Sequence, residues 1–269
     1  MKKLALFATA LAALAAISCS KHDDSDEPWI EPEIDYCEFQ LHYFVPDLDK
    51  QTIVADAMQV MDGIYYASAG GSGLLYSYNG LPNTVMEDGS ILPRFFMGWK
   101  GMEIKLFKEK NLVYDQKISN IENGGRYHLV IYDLTKEPAF FPRISIPEDG
   151  APSIRIKFAN FLFQNPTTKY AGTLRLQYAH QDDDTWYTVG KALNFGEATD
   201  SYSINITDPY EDLRFRVIDK DGCVITSGED GTDVALTIKP DLSFKYYVFF
   251  AGGNLEDGTP AELFQWRSL

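Results

Sequence analysis

Apolar and polar residues alternate along most of the chain from residue 36 onward. In the first such segment Cys37, Phe39, Leu41 and Tyr43 are separated by polar residues. Successive side chains of a strand point to opposite faces, so this spacing predicts an antiparallel strand with one buried face. The same alternation recurs at residues 102–106, 154–158, 174–178 and 213–217. No long segment has helical spacing, and the pattern predicts an all-β protein.

Turn signals separate these segments at short, regular intervals. Glycine follows Asn or Asp at several places, which favours the positive φ of tight hairpin turns, among them Gly80, Gly89, Gly124, Gly150, Gly222, Gly231 and Gly258. The chain also has 17 Phe and 16 Tyr residues, enough to fill thick cores. Many short strands with regular turns and large apolar side chains are typical of β-sandwiches.

The alternating pattern occurs twice in the chain. Residues 102–114 read as a hairpin with its turn at 108–111, and residues 213–225 read as the same hairpin with its turn at 219–222. An aromatic strand follows each hairpin, at 125–132 and 243–250. We therefore predict two tandem sandwich domains, 36–137 and 153–269, joined by an extended linker at 138–152, where Pro138, Pro142, Pro147 and Pro152 cannot donate to a ladder.

Three motifs resemble the domain-of-unknown-function family 4397, a tandem immunoglobulin-like β-sandwich of exported bacterial proteins. They are the opening Ile154-Arg155-Ile156-Lys157-Phe158-Ala159-Asn160, the hairpin Arg214-Phe215-Arg216-Val217, and the closing strand Tyr246-Tyr247-Val248-Phe249-Phe250-Ala251-Gly252. Tyr43 stands where the family has Asn. The resemblance implies immunoglobulin-like sandwiches in a Bacteroidetes-type lipoprotein and brings no catalytic residues with it.

The N-terminal segment has the pattern of an export signal. Lys2 and Lys3 precede an apolar run, Leu4–Ile17, that is too short to span a bilayer as a permanent helix. The stretch from Ala16 to Cys19 resembles a bacterial lipobox. We predict a signal peptide at 1–18, lipidation of Cys19, and a disordered acidic tether at 19–35. The expected location is the outer membrane, with the protein facing either the medium or the periplasm.

Charge and cysteine content narrow the partners and the redox chemistry. The chain carries a net charge of −15, and loss of Lys2 and Lys3 with the signal would make it −17. A nucleic-acid partner needs clustered Lys and Arg, so this composition argues against one. After lipidation of Cys19 two cysteines remain, Cys37 and Cys223, which are either bridged or inert thiols.

Two kinds of side chain are candidates for ligand binding. Trp186, Tyr187 and Trp99 fall near element edges, where an aromatic ring can stack on a sugar. Asp182, Asp183 and Asp184 form a run of oxygen ligands that suits calcium, although solvated turn residues explain the run equally well. None of the four His residues has a second His at metal-ligand spacing, and we expect no cofactor.

No nucleophile, phosphate-loop or metal motif occurs in the sequence, so we expect a non-catalytic protein. The glycine-rich stretch around Ser72 lacks the glycine of a nucleophile elbow and the lysine of a phosphate loop. The hypothesis is a membrane-anchored binding or adhesion module for a glycan or a cell-surface protein. The alternatives are a structural or pilus-anchoring subunit, which would bind by strand addition, and a hydrolase with two facing carboxylates.

Overall fold

The structure is a computed structural model. It describes residues 36–45, 53–55, 57–60, 63–66, 75–76, 83–85, 91–93, 95–99, 101, 103–108, 111–119, 121–143, 152–206, 208, 210–228, 231–240, 245–258 and 260–267. These residues belong to one compact unit, Ile34–Leu269. The predicted signal peptide, lipidation site and tether lie outside the described residues.

The described residues form strands, with a single 3₁₀ turn at Glu256–Gly258. The strands of the first half are β1 (Tyr36–Tyr43), β2 (Ile53–Ala55), β3 (Ala57–Val60), β4 (Gly63–Tyr66), β5 (Leu75–Tyr76), β6 (Asn83–Val85), β7 (Ile91–Pro93), β8 (Phe95–Trp99), β9 (Glu103–Lys108), β10 (Asn111–Lys117), β11 (Arg126–Ile131) and β12 (Ala139–Pro142). Those of the second half are β13 (Ser153–Asn160), β14 (Phe163–Asn165), β15 (Thr168–Lys169), β16 (Leu174–His180), β17 (Tyr187–Leu193), β18 (Tyr202–Asn205), β19 (Leu213–Ile218), β20 (Leu236–Ile238), β21 (Tyr246–Gly252) and β22 (Glu262–Arg267). The predicted all-β class is confirmed. No helix in these residues is long and apolar enough to cross a membrane.

The two halves have the same strand order. In the first half an outer sheet, β10-β9-β3-β4, accompanies an inner sheet, β12-β11-β1-β8. In the second half the outer sheet runs β20-β19-β16-β17, and the inner sheet contains β22-β21-β13-β18 in matching positions. Both inner sheets place their opening strand beside a parallel neighbour, β1 with β11 and β13 with β21.

This order differs from the antiparallel immunoglobulin-like arrangement that the sequence indicated. In the constant-type immunoglobulin sandwich the sheets are ABED and CFG, so the first strand pairs with the second. Here the opening strand of each half lies between a parallel and an antiparallel neighbour, as β13 does between β21 and β18. The immunoglobulin-like detail is therefore not confirmed by the strand order.

Three hydrophobic clusters show that the four sheets pack face to face as successive layers. One cluster fills the space between the outer and inner sheets of the first half, and a second does so in the second half. A third lies between the two inner sheets and includes Phe44, Val130, Phe250 and Trp266. Gly252 permits the close packing here, because a Cβ at this position would lie 2.9 Å from the Phe44 ring.

The sheet that closes the second half also includes strands from the first. The inner sheet continues from β22 to β7 and β6, through a parallel pairing of Trp266 with Ile91. The first residues of the predicted linker, Ala139–Pro142, form β12 and pair with β11. Pro138 and Pro142 are compatible with this strand, because Pro138 precedes it and Pro142 is its last residue.

Cys37 and Cys223 are not bridged. Cys37 is buried in the core of the first half, Cys223 is exposed on a turn of the second half, and neither forms a disulfide. At that turn Asp219 accepts hydrogen bonds from the backbone N–H groups of Asp221 and Cys223. The predicted second hairpin is shorter than expected. Its returning segment, residues 223–225, forms an isolated bridge between Val224 and Ile218 of β19. The strand that pairs with β19 on that side is β20.

Candidate ligand-binding site

The outward face of the second outer sheet carries the polar side chains of its alternating strands. In β16 the apolar residues Leu174 and Leu176 point into the core, so Gln177 points outward. Its partner on β19 is Arg216, whose Nε donates to Gln177 Oε1 at 2.9 Å. The alternation of the two strands thus produces a hydrogen-bonded polar pair on an exposed face.

Trp186 packs against this polar pair. The Arg216 guanidinium carbon lies 4.0 Å from the centroid of the indole ring, and that of Arg214 lies 5.7 Å from it. A guanidinium over an aromatic face contributes about 0.5–2 kcal/mol. Partial burial lowers the pKa of Arg216, while Asp233, 3.9 Å away, raises it. Trp186 is half-buried, so part of the ring remains accessible.

The loop that precedes Trp186 is fixed by hydrogen bonds. Arg214 Nη2 donates to the carbonyl oxygens of His180 and Asp183, at 3.1 and 2.5 Å. The Asp183 carboxylate accepts from the Thr185 backbone N–H at 2.8 Å, and hydrogen bonds from Thr185 lower the pKa of Asp183. These contacts hold the indole where Arg216 stacks on it. We call Trp186, Arg216, Gln177 and Arg214 the Trp186 platform.

Tyr187 does not join this platform. It is the cross-strand partner of Tyr178, whose ring packs in the second core, and the two ring centroids lie 5.3 Å apart. Tyr187 is 41% exposed, and its hydroxyl donates to Asp183 at 3.2 Å. Trp186 and Tyr187 therefore lie on opposite faces of the outer sheet.

Of the other sequence-predicted residues, the aspartate run meets the platform through the Asp183 backbone carbonyl, which accepts from Arg214 Nη2. Trp99 ends β8, at the edge of the inner sheet of the first half, and its side chain lies outside the described residues. Asp182, Asp183 and Asp184 lie in the turn after β16, where Asp183 is occupied by Thr185 and Tyr187. No three His, Cys, Asp or Glu residues in the described part of the chain come close enough to hold a metal ion.

Two histidines meet in the structure, and no motif in the sequence predicts this contact. His42 Nε2 lies 3.0 Å from His128 Nδ1, and both rings are fully buried between the inner sheets. Burial lowers the pKa of His42 to about 3. Burial, His42, Arg143 and Lys157 all lower the pKa of His128. The two histidines are 86 residues apart in the sequence, and the parallel pairing of β1 with β11 brings them together.

Alternation could have located the positioning residues of the platform. The sequence places Gln177, Arg214 and Arg216 on polar faces of their strands, but it does not show that β16 and β19 are neighbours. No protein-family model and no curated protein matches the sequence. The resemblance to family 4397 therefore stays a prediction, and the platform is described from its own geometry.

Proposed function

We propose that this protein is a lipid-anchored, non-catalytic glycan-binding module that holds its ligand on the Trp186 platform. The observation that supports this proposal most is the Arg216 guanidinium stacked 4.0 Å from the centroid of a half-buried indole. A sugar ring offers an apolar face of C–H groups, and an aromatic ring held in one orientation binds it with little loss of conformational entropy. The Arg216 guanidinium on this ring also donates to Gln177 Oε1, so polar groups that can serve as partners for sugar hydroxyls belong to the same patch.

The test is retention of the full-length protein on insoluble and immobilised polysaccharides. Trp186→Ala should weaken binding by about tenfold or more, because a lost stacking contact of about 1.4 kcal/mol changes the dissociation constant by that factor. Tyr210→Ala is the matched control, since Tyr210 is an aromatic residue that is 76% exposed and whose ring contacts Lys239. Arg216→Gln should have an intermediate effect, because it leaves the indole in place but unsupported.

Two results would contradict glycan binding. One is a wild-type protein that no polysaccharide retains, and the other is a Trp186→Ala variant that binds as well as the wild type. Urea unfolding of each variant checks that a loss of binding is not a loss of folding. A hydrolysed product in the same assays would favour the hydrolase alternative.

The anchor is a second part of the proposal, and it depends on the sequence before residue 36. Cys19→Ser should move the protein from the membrane fraction to the soluble fraction, because the acyl chains that hold it would be missing. Cys223→Ser is the control, since Cys223 is an exposed free thiol and its loss should leave the fractionation unchanged. Membrane retention of Cys19→Ser would contradict lipidation at this residue. Protease treatment of intact cells would then identify the exposed face.

A structural or pilus-anchoring role is the second candidate, and an edge strand supports it. β10 is seven residues long and borders the first outer sheet, and no other described strand pairs with its free edge. Leu112 on this strand is 52% exposed. An unpaired edge is a template for strand addition. A protein partner that co-purifies in a one-to-one ratio, and that Trp186→Ala does not release, would favour this role over glycan binding.

A further inference from the structure

A cleft of about 580 Å³ opens where the chain after β11 meets the β14–β15 hairpin. Its volume lies in the range of ligand pockets, which usually combine an apolar lining with a few convergent polar groups. The apolar lining comes from Val45, Leu134 and Phe163. The polar lining comes from Asp133, Thr135, Lys136, Thr167, Thr168 and Lys169.

Lys169 is the distinctive charge of this cleft. Its Nζ lies 4.7 Å from the centroid of the Tyr132 ring and 4.5 Å from that of the Phe195 ring. These rings come from different halves of the chain, and their own centroids are 5.5 Å apart. The ammonium is thus held at a fixed position by two aromatic faces, while the residue remains exposed to solvent.

The other charges of the cleft already have partners. Lys136 Nζ lies 3.1 Å from Asp133 Oδ2, and Asp133 Oδ1 also accepts from the backbone and hydroxyl of Thr135. No described carboxylate forms an ion pair with Lys169. Partial desolvation lowers the pKa of Lys169, Lys136 lowers it further, and Asp133 raises it. Among the described residues of the cleft, one positive charge is therefore left for a ligand to neutralise.

We propose that this cleft binds a small organic monocarboxylate, with the carboxylate on Lys169 and the body of the ligand on Val45, Leu134 and Phe163. An ammonium with no ion-pair partner among the described residues matches a single negative charge. A phosphate dianion would keep one charge unpaired, because the other ammonium of the cleft, on Lys136, is already paired with Asp133. The site is separate from the Trp186 platform and does not depend on glycan binding there.

The test compares two probes of nearly the same shape, the charged 3-phenylpropanoate and the neutral 3-phenylpropanamide. Calorimetric titration into the full-length protein should give a dissociation constant about fivefold lower for the carboxylate, the ratio that an ion pair of roughly 1 kcal/mol produces. Lys169→Met keeps the length of the side chain and removes its charge, so it should bring this ratio to about one. Lys169→Arg should retain part of it, and Lys220→Met, on an exposed turn, should retain all of it.

Three outcomes for the wild type and Lys169→Met would overturn the proposal. They are no binding of either probe up to about 10 mM, equal binding of the acid and the amide by the wild type, and an unchanged ratio in Lys169→Met. Because Lys169 is exposed, Lys169→Met should fold, and its thermal unfolding verifies this. If the ratio is lost in both Lys169→Met and Lys220→Met, the charge effect is not local to the cleft, and the proposal is also wrong.

Discussion

His42 and His128 are fully buried between the two inner sheets, where the surrounding side chains are mostly apolar. Phe250 and Trp266 contact the His42 ring, with centroid distances of 4.7 and 5.2 Å. A charged imidazole there would lose its hydration, and Arg143 and Lys157 would repel a charge on His128. The folded protein therefore keeps both rings neutral, with one nitrogen donating to the other.

This pair predicts a loss of stability in mild acid. In the unfolded chain both histidines take up protons near pH 6.5, but the pKa of His42 in the fold is about 3. Protons then bind the unfolded state preferentially, so stability is unaffected above pH 7 and falls as the pH drops from about 6.5 toward 3. Each histidine contributes a slope of up to about 1.4 kcal/mol per pH unit in that window.

Urea unfolding at pH 7, 6 and 5 measures this slope. Leucine is similar in volume to histidine, so His42→Leu and His128→Leu should preserve the packing. Each single variant should lower the pH slope of the unfolding free energy by about half as much as the double variant does. Carboxylates also titrate toward pH 4, so the comparison with the double variant is the one that isolates the histidines. Equal pH slopes for the wild type and the double variant would contradict the prediction.

At the scale of the element, alternation predicted strands well where one face meets solvent. In β16 and β19 the apolar residues are buried, and the outward arginines Arg175, Arg214 and Arg216 are half-buried or exposed. In β1 the polar residues Gln40 and His42 are as buried as the apolar ones. The prediction of one buried face is wrong for β1, because both of its faces pack against other sheets.

The partners of a strand were harder to predict than the strand itself. Alternation is a local property, while the neighbours of β1, which are β8 and β11, depend on contacts between distant residues. The hairpin of β9 and β10 was predictable because its turn is short and local. The platform is predictable only in part, because it also depends on contacts between distant residues. Trp186 is a candidate from its position in the sequence, but nothing in the sequence links Arg216 to it.

At the scale of the whole molecule, the repeat is visible in the sequence, but the packing of its copies is not. The copies have the same strand order, yet their inner sheets bury each other through the third cluster. If the two sandwiches were independent, the faces of the inner sheets that point away from their own cores would be polar. Here they carry Phe44, Phe141 and Phe250, and Lys157 donates from the second half to the Pro142 carbonyl at 2.7 Å.

The shared interface predicts that the two halves unfold together. Phe249 and Phe250 are neighbours on β21 that point to opposite faces, Phe249 into the core of the second half and Phe250 into the interface. Either Phe→Ala change should cost about 3–5 kcal/mol, because each removes a fully buried ring. If the interface couples the halves, a cavity in the second core must also destabilise the first half.

Fluorine NMR of 5-fluorotryptophan-labelled protein during urea titration measures this coupling. Trp99 reports from β8 in the first half, and Trp186 reports from the second half. For both variants we expect the two signals to change at one urea concentration, which is lower than in the wild type. Phe250→Ala is the matched comparison, because it damages the interface directly. A Trp99 midpoint that Phe249→Ala leaves unchanged would mean that the halves unfold separately, since a cavity confined to one independent domain cannot alter the stability of the other.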